Sequence, residues 1–327
     1  MINDKKILLD VKDLKMYFPV YKGLLEKKIA DVKAVDGITF SIEEGTTFGL
    51  VGESGCGKTT VGKCILRINH PTDGRIIYDG TDITDLRDKD LKALRRQIQL
   101  VFQDPYGSLD PRQSVGSIIK EALSCGEETL KKDDLDFEIR RLLSLVELDP
   151  AMADRFPHEM SGGQRQRLGI ARALACNPRL IVCDEPVSAL DVSIQAQIIN
   201  LFMQLQKKLG LTYLFIAHDL AVVRHIADRI GVMYLGHIVE MIDADELYRN
   251  PIHPYTKALL SAVPITDYYE ERSRKREILQ GEVPSPMDVP QGCPFNPRCP
   301  IATEKCRKEK PQFVDRGGNH LVACHNV

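Results

Sequence analysis

Four groups of residues in this 327-residue chain have types and spacings that suit chemistry. The first is Gly52-Glu53-Ser54-Gly55-Cys56-Gly57-Lys58-Thr59-Thr60, a glycine, four residues, then Gly-Lys-Thr. Such a turn lets backbone N–H groups curl around a phosphate, and a helix starting at the lysine adds partial positive charge. Lys58 is placed to reach the β- and γ-phosphates of a nucleoside triphosphate, and Thr59 to offer its hydroxyl to Mg2+. Cys56 is a small filler in that loop. The second group ends the apolar run LIVCDE: Asp184 suits Mg2+ and Glu185 suits a general base polarising the attacking water. The third, Met160-Ser161-Gly162-Gly163-Gln164-Arg165, opens a helix with a serine and two glycines, a second anion-binding end. One chain cannot easily aim both ends at one γ-phosphate, so the second is expected to serve a partner's nucleotide. The fourth group is Cys293, Cys299, Cys306 and Cys324.

Each group has a bland reading: a chance glycine turn, an acidic pair at a strand end, an ordinary N-cap, packed thiols. Context decides among these. TTFGLVG before the glycine turn reads as a short buried strand, and GKTTVGKCILRI after it has helical apolar spacing. LIVCDE and TYLFIAHD are apolar runs ending in charge, as buried parallel strands are. SIQAQIINLFMQLQKKLG between them reads as an amphipathic helix closed by glycine. ITFSIEEG, RIIYDG and IQLVFQ are further strands. From about 104 to 178 the pattern is mostly helical, clearest in SVGSIIKEAL and DFEIRRLLSLVEL. Strands alternating with helices predict an α/β fold of the P-loop type, with a mainly parallel core sheet interrupted by a helical insert.

The totals narrow the class. The 44 basic and 46 acidic residues give a formal charge of −2, which argues against charge-driven binding to nucleic acid. No run approaches ~18 apolar residues without a charge, and the start lacks signal-peptide features, so a chain in the reducing cytosol is expected. Ten of the eighteen prolines lie between Pro251 and Pro311, and four of nine cysteines lie in the last 35 residues. A boundary is therefore expected near 250, giving a nucleotide-binding domain over 1–250 and a small loop-rich domain over 251–327. The charged run EERSRKRE (270–277) reads as a solvated helix face or linker.

Taken together, these motifs resemble the ABC-type ATPases over nearly the whole chain, and the resemblance also implies an antiparallel β part. In that family two ATP-binding chains pair head to tail, each ATP lying between one glycine-rich loop and the other's SGGQ signature. The resemblance implies that Gln103 in LVFQD touches Mg2+ and the lytic water and faces a membrane partner. It implies that Ser188–Asp191 crosses the dimer interface, and that Ser161, Gly162, Gly163, Gln164 and Asp191 act in trans. His218 would contact the γ-phosphate, and Phe18 in LKMYF would stack on adenine, with Tyr17 as neighbouring candidate. VSALDVSIQAQIINL, AHDLAVVRHIADRIGVMYLGHIVE and NPIHPYTKALLSAVP, the last carrying His253-Pro254-Tyr255, resemble the ATPases of oligopeptide and dipeptide importers. The insert PVYKGLLEKKIADVKAVDG resembles the second of their two ATPase chains, and also reads as a long surface hairpin.

The resemblance thus implies an ATPase at the cytoplasmic face of the membrane. Its partners would be a second homologous ATPase chain, two transmembrane permease subunits and an extracytoplasmic peptide-binding protein. Kin of the family handle nickel chelates or glutathione, and an ABC-type subunit of a soluble complex such as carbon–phosphorus lyase is the alternative. For the cysteines, a disulfide framework does not suit the cytosol. No C-x2-4-C knuckle favours zinc, although His320 or His325 would serve as a further ligand. Wide, proline-punctuated spacing suits an iron–sulfur cluster, free thiols remain open, and some members of the resembled family hold a 4Fe–4S cluster on four such cysteines. The expectation carried forward is that cluster, with zinc as the alternative.

Overall fold

The computed structural model describes residues 6–22, 27–104, 106–125, 132–263 and 279–327, and the run 270–277 lies outside them. The chain forms two compact units, one of residues 1–43, 47–85 and 217–327 and the other of 44–46 and 86–216.

The first unit begins with two long antiparallel strands, β1 (Ile7–Lys22) and β2 (Lys27–Glu43), paired out to Lys22↔Lys27. The described parts of the insert after Phe18, residues 19–22 and 27–37, thus lie on these two paired strands. β1 also pairs with β4 (Asp73–Tyr78), which pairs with β5 (Thr81–Asp82), giving an all-antiparallel sheet. Its apolar face is Leu9, Val11, Leu14, Val35, Ile38 and Ile76, each at most 1% exposed. β3 (Thr47–Val51) is buried along its whole length and lies parallel to β9 (Arg229–Tyr234). A strand buried on both faces reads as a continuous apolar run, as TFGLV does. β9 turns back into β10 (His237–Asp243), and the chain's last strands, β11 (Val314–Asp315) and β12 (Leu321–Val322), add to the edge of β10. Helix α1 (Lys58–Ile65) follows the glycine turn after β3. Among the described residues, the further helices of this unit are α7 (Leu220–Arg224), α8 (Ala244–Arg249), α9 (Pro254–Ala262) and a short one over Glu304–Lys308.

The second unit has three parallel strands in the order β8 (Thr212–Ala217), β7 (Leu180–Asp184) and β6 (Ile98–Val101). Helix α6 (Val192–Leu209) connects β7 to β8, capped at its start by Asp191 and at its end by Gly210. Its buried residues Ile198, Ile199, Leu201, Phe202 and Leu205 recur at three- and four-residue steps. Phe202 meets Tyr213 and Phe215 of β8 edge-on, with ring centroids 5.4 and 5.9 Å apart. Burying each such ring contributes about 1.5–3 kcal/mol. Between β6 and β7 run α3 (Val115–Ser124), α4 (Lys132–Leu145) and α5 (Gly162–Leu174). The fold is α/β, with parallel strands, a separate antiparallel sheet and a helical insert.

Candidate functional site

In the first unit the glycine turn closes tightly between β3 and α1. Gly57 sits at φ +108°, and a Cβ there would lie 2.0 Å from the carbonyl oxygen of Ala34, so no other residue fits unstrained. Lys58 is 3% exposed, and its ammonium donates to the carbonyls of Gly52 at 2.7 Å and Glu53 at 3.0 Å. The Cys56 thiol, raised by burial, lies 3.7 Å from the same ammonium. A buried cation, backbone N–H groups of a curled loop and the start of an eight-residue helix converge here. That donor set fits the phosphates of a nucleotide. Thr59 and Thr60 are the next residues of α1.

Phe18 lies on β1 opposite Val32 and is 37% exposed. Tyr17 is committed elsewhere: its hydroxyl donates to Asp36 Oδ1 at 2.5 Å, under the Lys33 ammonium. His218, exposed, precedes Asp219, which caps α7 by accepting from Ala221 N–H at 2.7 Å.

In the second unit, β7 ends at Asp184. Glu185 then enters the left-handed region at φ +46°, a conformation costing a non-glycine residue about 1–2 kcal/mol. Its N–H donates to Ile216 O at 2.9 Å, and its Oε2 accepts from Gln103 Nε2 at 2.9 Å. Gln103 and Glu185, 82 residues apart, are thus brought into direct contact. The serine–glycine helix start is a full capping box. Ser161 Oγ accepts from Gln164 N–H at 3.3 Å, and Gln164 Oε1 accepts from Ser161 N–H at 2.9 Å. Gly163 is packed so closely that an added Cβ would lie 2.7 Å from Ile194 Cγ2. Gly162 borders Leu190, and Asp191 accepts from Ile194 N–H at 3.0 Å.

Two arginines of α5 hold the segment after β6. The Arg165 guanidinium lies 3.7 Å above the Tyr106 ring and donates to Pro157 O, while Arg172 stacks on Phe102 at 5.4 Å and donates to Ser108 O.

The cysteine expectation is corrected. Among the described residues, no three His, Cys, Asp or Glu side chains are grouped so as to hold a metal ion. Instead, the tail's polar groups satisfy one another. Cys306 Sγ lies 3.3 Å from Thr303 Oγ1 and 3.4 Å from Asn326 Nδ2, and the Cys293 N–H donates to Cys306 O at 2.8 Å. Burial pushes the Cys293 thiol up to about 11 and raises that of Cys299, whereas at Cys306 burial is outweighed by the hydrogen bonds with Thr303 and Asn326 and the thiol is lowered. Cys293, Cys299, Cys306 and Cys324 are all free thiols. The zinc alternative fails on its extra ligands: His320 Nε2 is 2.6 Å from Glu240 Oε1, and His325 Nε2 is 2.9 Å from Glu309 O.

Sequence reasoning missed what the His-Pro-Tyr element does. His253 Nδ1 accepts from Tyr255 N–H at 3.1 Å and caps α9, while Pro254 takes the first helical position. Tyr255 then reaches the glycine turn, its hydroxyl accepting from Glu53 N–H at 2.9 Å. It also missed Glu240, fully buried in β10, which accepts from Ile252 N–H, His253 N–H and His320. A lone carboxylate in the apolar run IVEMI (238–242) was the available signal.

The ABC transporter family model matches residues 35–188, and the model for the oligopeptide/dipeptide transporter C-terminal region matches 239–306. The chain is 52% identical to the oligopeptide transport ATP-binding protein AppF of Bacillus subtilis, over 98% of both chains. It is 48% identical to OppF of Salmonella typhimurium, covering 100% of this chain and 98% of that one. It is 47% identical to the dipeptide transport ATP-binding protein DppF of Haemophilus influenzae, with the same coverage. Among solved structures, the ATP-binding cassette MJ0796 bound to ADP and Pi matches with TM-score 0.64 and 27% identity, over 72% of this chain and 99% of that one. This chain belongs to the ABC transporter family, among the ATP-binding proteins that carry the oligopeptide/dipeptide C-terminal region.

Proposed function

We propose that this chain is the ATP-hydrolysing subunit that energises uptake of di- or oligopeptides through a membrane ABC importer. The buried Lys58 inside its curled glycine loop carries the ATPase part of that reading. The peptide part rests on relatives named for oligopeptide and dipeptide transport, matched over nearly their whole lengths. The matched oligopeptide/dipeptide transporter C-terminal region favours an importer over a soluble lyase-type complex.

In this reading, the loop Gly52–Gly57 cradles the phosphates, Lys58 neutralises β- and γ-phosphate charge, and Phe18 lies against adenine. Thr59, Gln103 and Asp184 would hold Mg2+, which when bound neutralises phosphate charge and aligns the γ-phosphate. Glu185 takes the proton of the attacking water, which Gln103, bonded to that carboxylate, orients. His218 stabilises charge developing on the γ-phosphate. Ser161, Gly162, Gly163, Gln164 and Asp191 serve the nucleotide of a second, homologous ATPase chain. Two permease subunits receive the motion near Gln103, an extracytoplasmic protein delivers peptide to them, and this chain sits peripherally on the cytoplasmic face. No described helix is long and apolar enough to cross a membrane, so attachment through permeases is consistent with it.

The test is uptake by cells in which this chain is deleted and then restored. Labelled tri- and tetrapeptides are expected to enter only the restored cells, with restoration failing for Lys58→Ala. Normal peptide uptake without the chain, or loss confined to nickel chelates or glutathione, would overturn the substrate class.

A further inference from the structure

The C-terminal region grips one residue of the phosphate loop from two sides. Arg298 forms a fork on the Glu53 carboxylate, Nη1 to Oε2 at 2.7 Å and Nη2 to Oε1 at 3.1 Å. The Arg298 side chain is 8% exposed and that of Glu53 28%, so this bidentate pair is half-buried rather than fully solvated like most surface ion pairs. The Glu53 backbone N–H is taken by the buried Tyr255 hydroxyl. The Glu53 carbonyl accepts from the Lys58 ammonium and from Cys56 N–H. Every polar group of Glu53 is therefore engaged, two by the C-terminal region and one by the loop's own lysine.

The gripping residues are themselves fixed. Tyr255 meets Tyr234 with ring centroids 4.8 Å apart, and Phe295 packs on Tyr234, Tyr255 and His253 at 5.2, 5.5 and 5.6 Å. Phe295 is three residues before Arg298 and is 1% exposed. The Arg298 guanidinium lies 5.9 Å from the Tyr234 ring. An aromatic cluster thus anchors both the arginine and the tyrosine beneath the loop.

We infer that Arg298 and Tyr255 are positioning residues for nucleotide binding: by holding Glu53, the C-terminal region sets the phosphate loop and the carbonyls that orient Lys58. This rests on the assignment of that loop as the ATP site. Neither residue touches nucleotide in this account. They act by reducing the reorganisation the loop needs when phosphate arrives.

The experiment measures the dissociation constant of MgATP for the full chain by calorimetry, with thermal unfolding of each variant alongside. Arg298→Gln and Tyr255→Phe are expected to weaken MgATP binding on the order of tenfold, the scale of one charge-assisted hydrogen bond. Arg298→Lys should recover part of the loss. Glu53→Gln, which spares the aromatic cluster, should weaken binding similarly, and combining it with Arg298→Gln should add little, because both break the same two-bond fork. Glu53→Gln keeps the test decisive where Arg298→Gln does not fold. MgATP affinity within twofold of wild type in folded Glu53→Gln and Tyr255→Phe would overturn the inference, as would lowered thermal stability with unchanged affinity. Lys58→Ala separates the two claims: if it leaves MgATP binding intact, the loop assignment fails. If it abolishes binding while the Glu53 variant is unaffected, only the positioning role fails.

Discussion

At the scale of single residues, Glu185 joins backbone strain to a proposed role in chemistry. The left-handed backbone at φ +46° turns the chain directly after Asp184, and the carboxylate it presents is held by Gln103. Replacing the carboxylate with an amide keeps the size and a hydrogen-bonding partner for Gln103 but removes the proton acceptor. Glu185→Gln is therefore expected to bind MgATP as wild type does and to lose hydrolysis by roughly 10²–10⁴-fold. Equilibrium binding and phosphate release on the same preparation check this. Wild-type turnover would remove Glu185 from the role of base.

Among the secondary-structure elements, the start of α5 combines local stability with a proposed function in trans. Ser161 and Gln164 satisfy each other's N–H groups, so Ser161→Ala is expected to cost about 1 kcal/mol in urea unfolding. A change below a few tenths would mean that the box adds nothing to the helix. Elements of this kind were legible in the sequence because their signals are local. LIVCDE and TYLFIAHD are buried parallel strands, Gly210 closes α6, and Ser161 opens α5. The tail was read less well, because its cysteine spacing carries no information on how neighbouring groups pair. Thr303 and Asn326 hold Cys306, and Glu240 holds His320, and none of these pairings follows from a motif. The Arg298–Glu53 fork joins residues 245 apart, which no periodicity reveals.

At the scale of the whole molecule, buried imidazoles make stability depend on pH. Burial pushes His253 down to about 3 and His237 down to about 4; for His237 the nearby Lys310 adds to the effect and Asp36 opposes it. Unfolded histidines titrate near ~6.5. Between that value and the folded ones the unfolded chain binds more protons, so this contribution is complete above ~6.5 and is lost as pH falls toward 4 and then 3. Protonating His253 would also remove the Nδ1 acceptor that caps α9. Urea unfolding is expected to show a loss on the order of 2 kcal/mol from pH 7.5 to 5.5. His253→Asn, which retains a capping acceptor without titrating, should flatten part of that slope. An unchanged slope in this variant would assign the pH dependence elsewhere.

The central claim is that ATP turnover by this chain drives peptide inward. The test uses proteoliposomes holding the chain with the proposed permeases and second ATPase, and follows phosphate release and labelled-peptide accumulation together. Both are expected to proceed with wild-type chain and to fall at least a hundredfold with Glu185→Gln, while MgATP remains bound. Peptide accumulation that continues with the Glu185 variant, or steady ATP hydrolysis by the wild type with no peptide moved, would contradict it.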